Sequence, residues 1–190
     1  MRLAPLLLRL LTTRSWVGRL TALAALTIAC WMAWQDQQAP GSVDGQALSG
    51  RVTKVADGDT LEVMLADGST LKVRLAYVDA PESAQPDGTV AGLMLAKQVL
   101  GRQVLLDLQG QDKYGRSVAE VRLGEVDIGL AQVQAGHAWH YEQYARGKQA
   151  ALAYGRYQAA QLMARQQGSG LWGRAGAQAP WDYRQQQRAR

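Results

Sequence analysis

The chain has 190 residues, 47% hydrophobic and 19% charged, with a formal net charge of +5; that leaves room for one ordinary domain with extensions and is not the composition of a disordered chain. Cys30 is its single cysteine, which excludes an internal disulfide, a thiolate zinc cage and a cysteine nucleophile in the downstream domain. The charge is uneven: residues 49–145 are net acidic, whereas 146–190 carry eight Lys and Arg against Asp182 alone, so a polyanion approaching the middle of the chain would be repelled unless a cation sat there.

Arg2, Arg9, Arg14 and Arg19 precede an uncharged run at 20–34, a basic flank followed by an apolar core that reads as a targeting or anchoring segment. As a helix the run spans about 22 Å against a hydrocarbon core of about 30 Å. Trp31 and Trp34 suit an interfacial aromatic belt, and no small-residue cleavage site follows cleanly, which favours an uncleaved membrane anchor. Two rivals stand beside it: a lipoprotein-like box at Thr27-Ile28-Ala29-Cys30 with Cys30 lipidated, and an ordinary cleaved signal. All three put the remainder outside the cytoplasm, secreted, periplasmic or membrane-anchored; a buried helix is the bland alternative. Residues 35–49, rich in Gln, Gly, Pro and Ser, read as a linker.

The folded domain is expected over 50–174. Runs of Val, Leu and Thr at 51–56, 61–65 and 71–78 predict three strands, the second and third joined by a hairpin turn at Asp67-Gly68. Leu93, Ala96, Val99 and Leu100 predict a helix over 90–100 stopped by Gly101, and two more strands follow at 104–108 and 117–123. Val126, Leu130 and Val133 mark a short helix before Gly136, and 147–167 a longer one ended by Gly168. The order βββαββαα predicts an α+β fold, a five-stranded OB-fold barrel with three helices, preceded by the hydrophobic N-terminal helix. Residues 175–190 read as a basic tail that packs Trp172 or Trp181 near the barrel and then frays.

Two acidic clusters, Asp57-Gly58-Asp59-Thr60 between the first two strands and Asp79-Ala80-Pro81-Glu82 after the third, fall at one end of such a barrel. Singly, each is an ordinary turn or helix approach. Together they offer hard oxygen ligands suited to Ca²⁺ or Mg²⁺, and they occur with Arg74 and with Arg116 in Asp112-Lys113-Tyr114-Gly115-Arg116. Guanidinium groups bind phosphodiesters at two points and keep their charge throughout. Carboxylates and arginines in this set point to phosphoryl chemistry.

In this order, D-G-D-T, R-x-x-x-x-D-x-P-E and D-K-Y-G-R resemble the staphylococcal nuclease (thermonuclease) family over roughly 50–172. The resemblance implies a Ca²⁺-dependent endonuclease that hydrolyses phosphodiester bonds of DNA, with RNA a second candidate, at the P–O5′ bond to leave 3′-phosphates. It implies Asp59, Asp79 and the backbone carbonyl of Ala80 as metal ligands, Glu82 as the group that orients or activates the attacking water, and Arg74 and Arg116 as phosphate-binding catalytic arginines. Lys113 and Tyr114 match substrate-binding positions, and Asp57 supports the loop. Ala80 departs from the family member most often described, which has a hydroxyl side chain there.

Trp139, Tyr141 and Tyr144 suit either a base-stacking wall or packing between helices. His137 and His140 read as surface or partly packed residues rather than catalysts. A monomer is expected, with no protein partner. The alternative function is a non-catalytic OB-fold module that binds single strands. Against it, Asp59, Arg74, Asp79, Glu82 and Arg116 are all present, where a retired enzyme should have lost one.

Overall fold

The computed structural model describes residues 48–189, so the hydrophobic run at 20–34 and most of the linker lie outside the described residues. None of the described helices is long and apolar enough to cross a membrane. Five main strands build the barrel: β1 (Leu48–Val55), β2 (Thr60–Leu65), β3 (Thr70–Leu75), and then, beyond a short β4 (Val78–Asp79) and helix α1 (Gly88–Val99), β5 (Gln103–Gln111) and β6 (Ser117–Leu123). β1 lies antiparallel between β2 and β5, β2 pairs with β3, and β5 with β6. The ring closes through a parallel pairing of β3 with β6, Val73 beside Ser117 and Leu75 beside Ala119, which leaves no free edge among these five strands. This is the expected α+β OB-fold barrel.

Inward-facing residues fill it at a period of two: Val52, Leu61, Val63, Val73, Leu75 and Leu106 are essentially inaccessible. α1 plugs one end with Gly88, Ala91, Leu95 and Val99. That is a different stripe from the one the sequence suggested, since Leu93 is 61% and Leu100 52% exposed. The reason is the close approach of the helix to the β1–β2 loop, where Gly58 has no room for a side chain: a Cβ there would stand 2.6 Å from both the Ala80 and the Ala91 methyl groups. Only the small residues of the helix fit against that loop.

The third strand was expected to run to 78. It stops at Leu75, because Tyr77 takes a left-handed conformation with φ 62°, which no extended strand tolerates. The chain restarts as β4, which pairs with β8 (Trp139–His140) beyond β7 (Val126–Asp127) and α2 (Ile128–Gln134). The kink turns Asp79 away from the barrel wall and toward the β1–β2 loop.

A four-residue α3 (Glu142–Ala145) leads to α4 (Ala151–Gln167), whose last turn is closed by Gly168 in the left-handed conformation, φ 64°. A 3₁₀ turn at Gly170–Gly173 follows, and the basic tail does not fray but forms α5 (Pro180–Arg188). Proline at its first turn is preorganised for a helix start. Trp181 lies 5.6 Å from Trp139 and stacks on Tyr141 at 5.3 Å, and Tyr183 Oη donates to the Ala84 carbonyl, so the tail is held along its length.

Candidate active site

The β1–β2 loop is shaped by its own side chains and by one glutamine. Asp57 Oδ1 accepts the Asp59 amide at 3.0 Å, a local Asx turn, and the Asp59 carbonyl accepts the Leu75 amide of β3. Gln132 of α2, completely buried, donates from Nε2 to the Gly58 carbonyl at 3.0 Å. A single polar residue on a short amphipathic helix carries no sequence signal for such a role.

Within that frame the predicted residues meet. Arg74 Nη1 donates to Asp59 Oδ2 at 2.8 Å, and its Nη2 to Asp79 Oδ1 at 2.7 Å and to the Val78 carbonyl at 3.2 Å. Asp59 Oδ2 also accepts the amide of Ala80, and Asp59 Oδ1 accepts the hydroxyl of Thr60. Thr60 Oγ1 in turn accepts from Arg116 Nη1 at 3.1 Å. This bridge between an acidic loop and the second arginine was not foreseen, although Thr60 stands inside the D-G-D-T motif.

Arg116 is fixed by the β5–β6 turn. Asp112 Oδ1 accepts the amides of Tyr114 and Arg116, while its Oδ2 accepts Arg116 Nε at 2.7 Å. Burial works against the Asp112 charge, but these hydrogen bonds hold its carboxyl below the usual range. Tyr114 is 66% exposed, with the Arg116 guanidinium 5.5 Å and Lys113 Nζ 5.1 Å from its ring centre. Lys113 and Tyr114 therefore form the rim beside Arg116, apart from the acidic centre.

A third arginine, which the sequence did not single out, completes the cluster. Arg184 of α5 donates from Nη2 to Asp79 Oδ2 at 2.7 Å and from Nη1 to Asp79 Oδ1 at 3.2 Å and Glu82 Oε1 at 2.8 Å. Glu82 thus joins the centre, and a continuous chain of contacts runs Arg116, Thr60, Asp59, Arg74, Asp79, Arg184, Glu82.

The donor set fits a hard divalent cation. Asp59 and Asp79 are 3% and 0% exposed. Burial drives the Asp59 carboxyl above its ordinary range even though Arg74 pulls it down, with Asp57 adding to the rise. Among the described residues no three His, Cys, Asp or Glu side chains gather as a metal cage, so a cation here would rest on Asp59, Asp79 and a backbone oxygen such as that of Ala80, with water or substrate completing its shell, as suits an oxygen-loving and partly hydrated ion.

The histidines stay out of this chemistry. His140 is buried, 3.0 Å from Gln149 Oε1 through Nε2, and burial lowers its pKa. The aromatic residues divide. Trp139 is packed against Trp172 at 4.3 Å and under Arg165, a structural role, while Tyr141 and Tyr144 lie nearly parallel at 6.2 Å and 10°.

Comparison with known proteins agrees with this geometry. The family described as staphylococcal nuclease homologue matches residues 72–174. A Haemophilus influenzae protein described as an uncharacterized endonuclease is 36% identical over 138 residues, covering 73% of this chain and 74% of its own. A micrococcal nuclease of Shigella flexneri is 32% identical over 175 residues, covering 87% and 91%, and Protein ParB of Escherichia coli is 32% identical over 174 residues, covering 87% and 88%. With its motifs gathered at one end of an OB-fold barrel and its sequence matched over more than half its length, the chain belongs to the staphylococcal nuclease family.

Proposed function

We propose that the protein is a Ca²⁺-dependent nuclease that hydrolyses phosphodiester bonds of DNA, with RNA a second candidate substrate, acting outside the cytoplasm as a monomer held by, or released from, its N-terminal segment. The observation that carries this reading is the unbroken contact chain from Arg116 to Glu82, which joins two carboxylate-bearing loops to phosphate-binding guanidinium groups. Family kinship supports it.

A bound Ca²⁺ would supply charge neutralisation for the phosphate and for the more anionic transition state. Asp59, Asp79 and the Ala80 carbonyl are its proposed ligands. Three of the five N–H groups of Arg116 are committed to Asp112 and Thr60, which aims the remainder at phosphoryl oxygens without reorganisation. Arg74 of β3 binds the same phosphate. Glu82 orients the attacking water and takes its proton as the new P–O bond forms; the bond from phosphorus to the 5′ oxygen breaks, and that oxygen takes up a proton from solvent, leaving a 3′-phosphate and a 5′-hydroxyl. Tyr114 and Lys113, exposed beside Arg116, contact the substrate at the rim.

The test is hydrolysis of end-labelled single-stranded DNA by the full-length chain with Ca²⁺ or EGTA, alongside Glu82→Gln and Arg116→Ala variants of native circular dichroism. Cutting that needs Ca²⁺, leaves 3′-phosphate ends and falls about 10²–10³-fold in each variant is expected. Binding without cutting would establish the OB-fold binding module in its place.

A further inference from the structure

Both oxygens of Asp79 are taken in this fold. Oδ1 accepts from Arg74 and Arg184, and Oδ2 accepts from Arg184 at 2.7 Å. Arg184 reaches this point from a helix beyond the family-matched segment 72–174. Its guanidinium is a single positive charge set between the Asp79 and Glu82 carboxylates. The side chain remains 31% exposed, so water reaches it at the edge of the site.

The same helix covers a second feature of the site. Trp181, one turn before Arg184 and so on the same face, stacks on Tyr141 with the ring planes 17° apart. An aromatic face of this kind is one on which a nucleobase can stack. The segment leading in is tied down by Gln85, whose Nε2 donates to the Gln178 carbonyl at 2.7 Å, and by the ion pair of Arg174 with Asp87.

Resting on the calcium reading above, we propose that α5 is an intramolecular strap: Arg184 occupies the Asp79 and Glu82 carboxylates in the resting chain while Trp181 covers Tyr141, and a divalent cation binds only as Arg184 gives up Asp79. Cation binding and release of the strap are then one linked equilibrium. Asp79 would be open to a cation once the arginine leaves it, and the freed guanidinium would be available to an incoming phosphate. Substrate anions favour the released state for the same reason. The tethered arginine thus sets the cation concentration at which the enzyme becomes competent.

The experiment measures Ca²⁺ affinity by titration calorimetry on the full-length chain, on Arg184→Gln and on Trp181→Ala, with amide hydrogen exchange over 180–188 followed in the native chain with and without Ca²⁺. If the strap is docked about nine-tenths of the time, its removal tightens Ca²⁺ binding about tenfold, and saturating Ca²⁺ speeds exchange across α5. Trp181→Ala, which touches no carboxylate, decides the matter should Arg184→Gln fail to fold. Ca²⁺ binding no tighter than native in the folded variant, or slower exchange of α5 with Ca²⁺, overturns the strap and leaves the calcium reading standing. No Ca²⁺ binding by any of the three proteins overturns both.

Discussion

Replacing Arg74 with methionine removes the ion-pair partner of Asp59 from a site where little water can compensate. The side chains of Arg74, Asp59 and Asp79 are 16%, 5% and 0% exposed, and Arg74 makes three hydrogen bonds there. Breaking a buried pair costs about 3–5 kcal/mol because the remaining charge is left uncompensated. Arg184 still holds Asp79, so the loss concentrates on Asp59, and a destabilisation of about 3 kcal/mol is expected at pH 7.5, or about 10 °C in Tm. The Asp59 carboxyl, already raised by burial, rises further in the variant. The sign follows from linkage: a raised carboxyl keeps its proton in the folded state after the unfolded chain has lost it, so stability falls as pH climbs through that window. The gap between native and variant is therefore widest above neutrality and narrows near pH 4. Urea unfolding followed by far-ultraviolet circular dichroism in EGTA, at pH 7.5 and pH 4.5, measures it, and Asp59→Asn added to the variant should recover most of the loss. A destabilisation under about 1 kcal/mol at pH 7.5, or an equal loss at both pH values, would refute the claim that Arg74 compensates a buried carboxylate.

Gln132→Leu keeps the volume in α2 but leaves the Gly58 carbonyl without its donor, so a loss of about 1–3 kcal/mol is expected in the same urea assay; an unchanged midpoint would show that water replaces the contact. His140, its pKa lowered by burial from 6.5, favours the folded state fully above that value and less as pH falls, because the unfolded chain takes up the proton first. His140→Gln should flatten the stability profile between pH 7 and pH 5, with the lowered His137 supplying the slope that remains. A variant with the whole native slope would assign it elsewhere.

Much of this molecule is written locally. Runs of Val, Leu and Thr marked the strands, and the acidic and arginine motifs stood in the order that the barrel later gathers at one end. Local signals also erred where a neighbour's shape decided. The buried face of α1 follows Ala91, Leu95 and Val99 rather than Leu93 and Leu100, because the helix must approach the backbone of the Asp57-Gly58 loop. The break after Leu75 depends on a left-handed Tyr77, a conformation no propensity assigns to tyrosine.

The amino-acid sequence by itself pointed to the barrel and the family and offered Asp59, Arg74, Asp79, Glu82 and Arg116 as site candidates, because the order of the acidic and arginine motifs along the chain carries the resemblance. Only the tertiary structure decided that Gln132 supports the acidic loop and that Arg184, 105 residues from Asp79 along the chain, returns to cover it. The helix bearing Arg184 has no apolar period to announce its destination. Its position is set by Trp181 on Tyr141 and by the Asp79 and Glu82 carboxylates that Arg184 bridges, which come together only once the chain has folded.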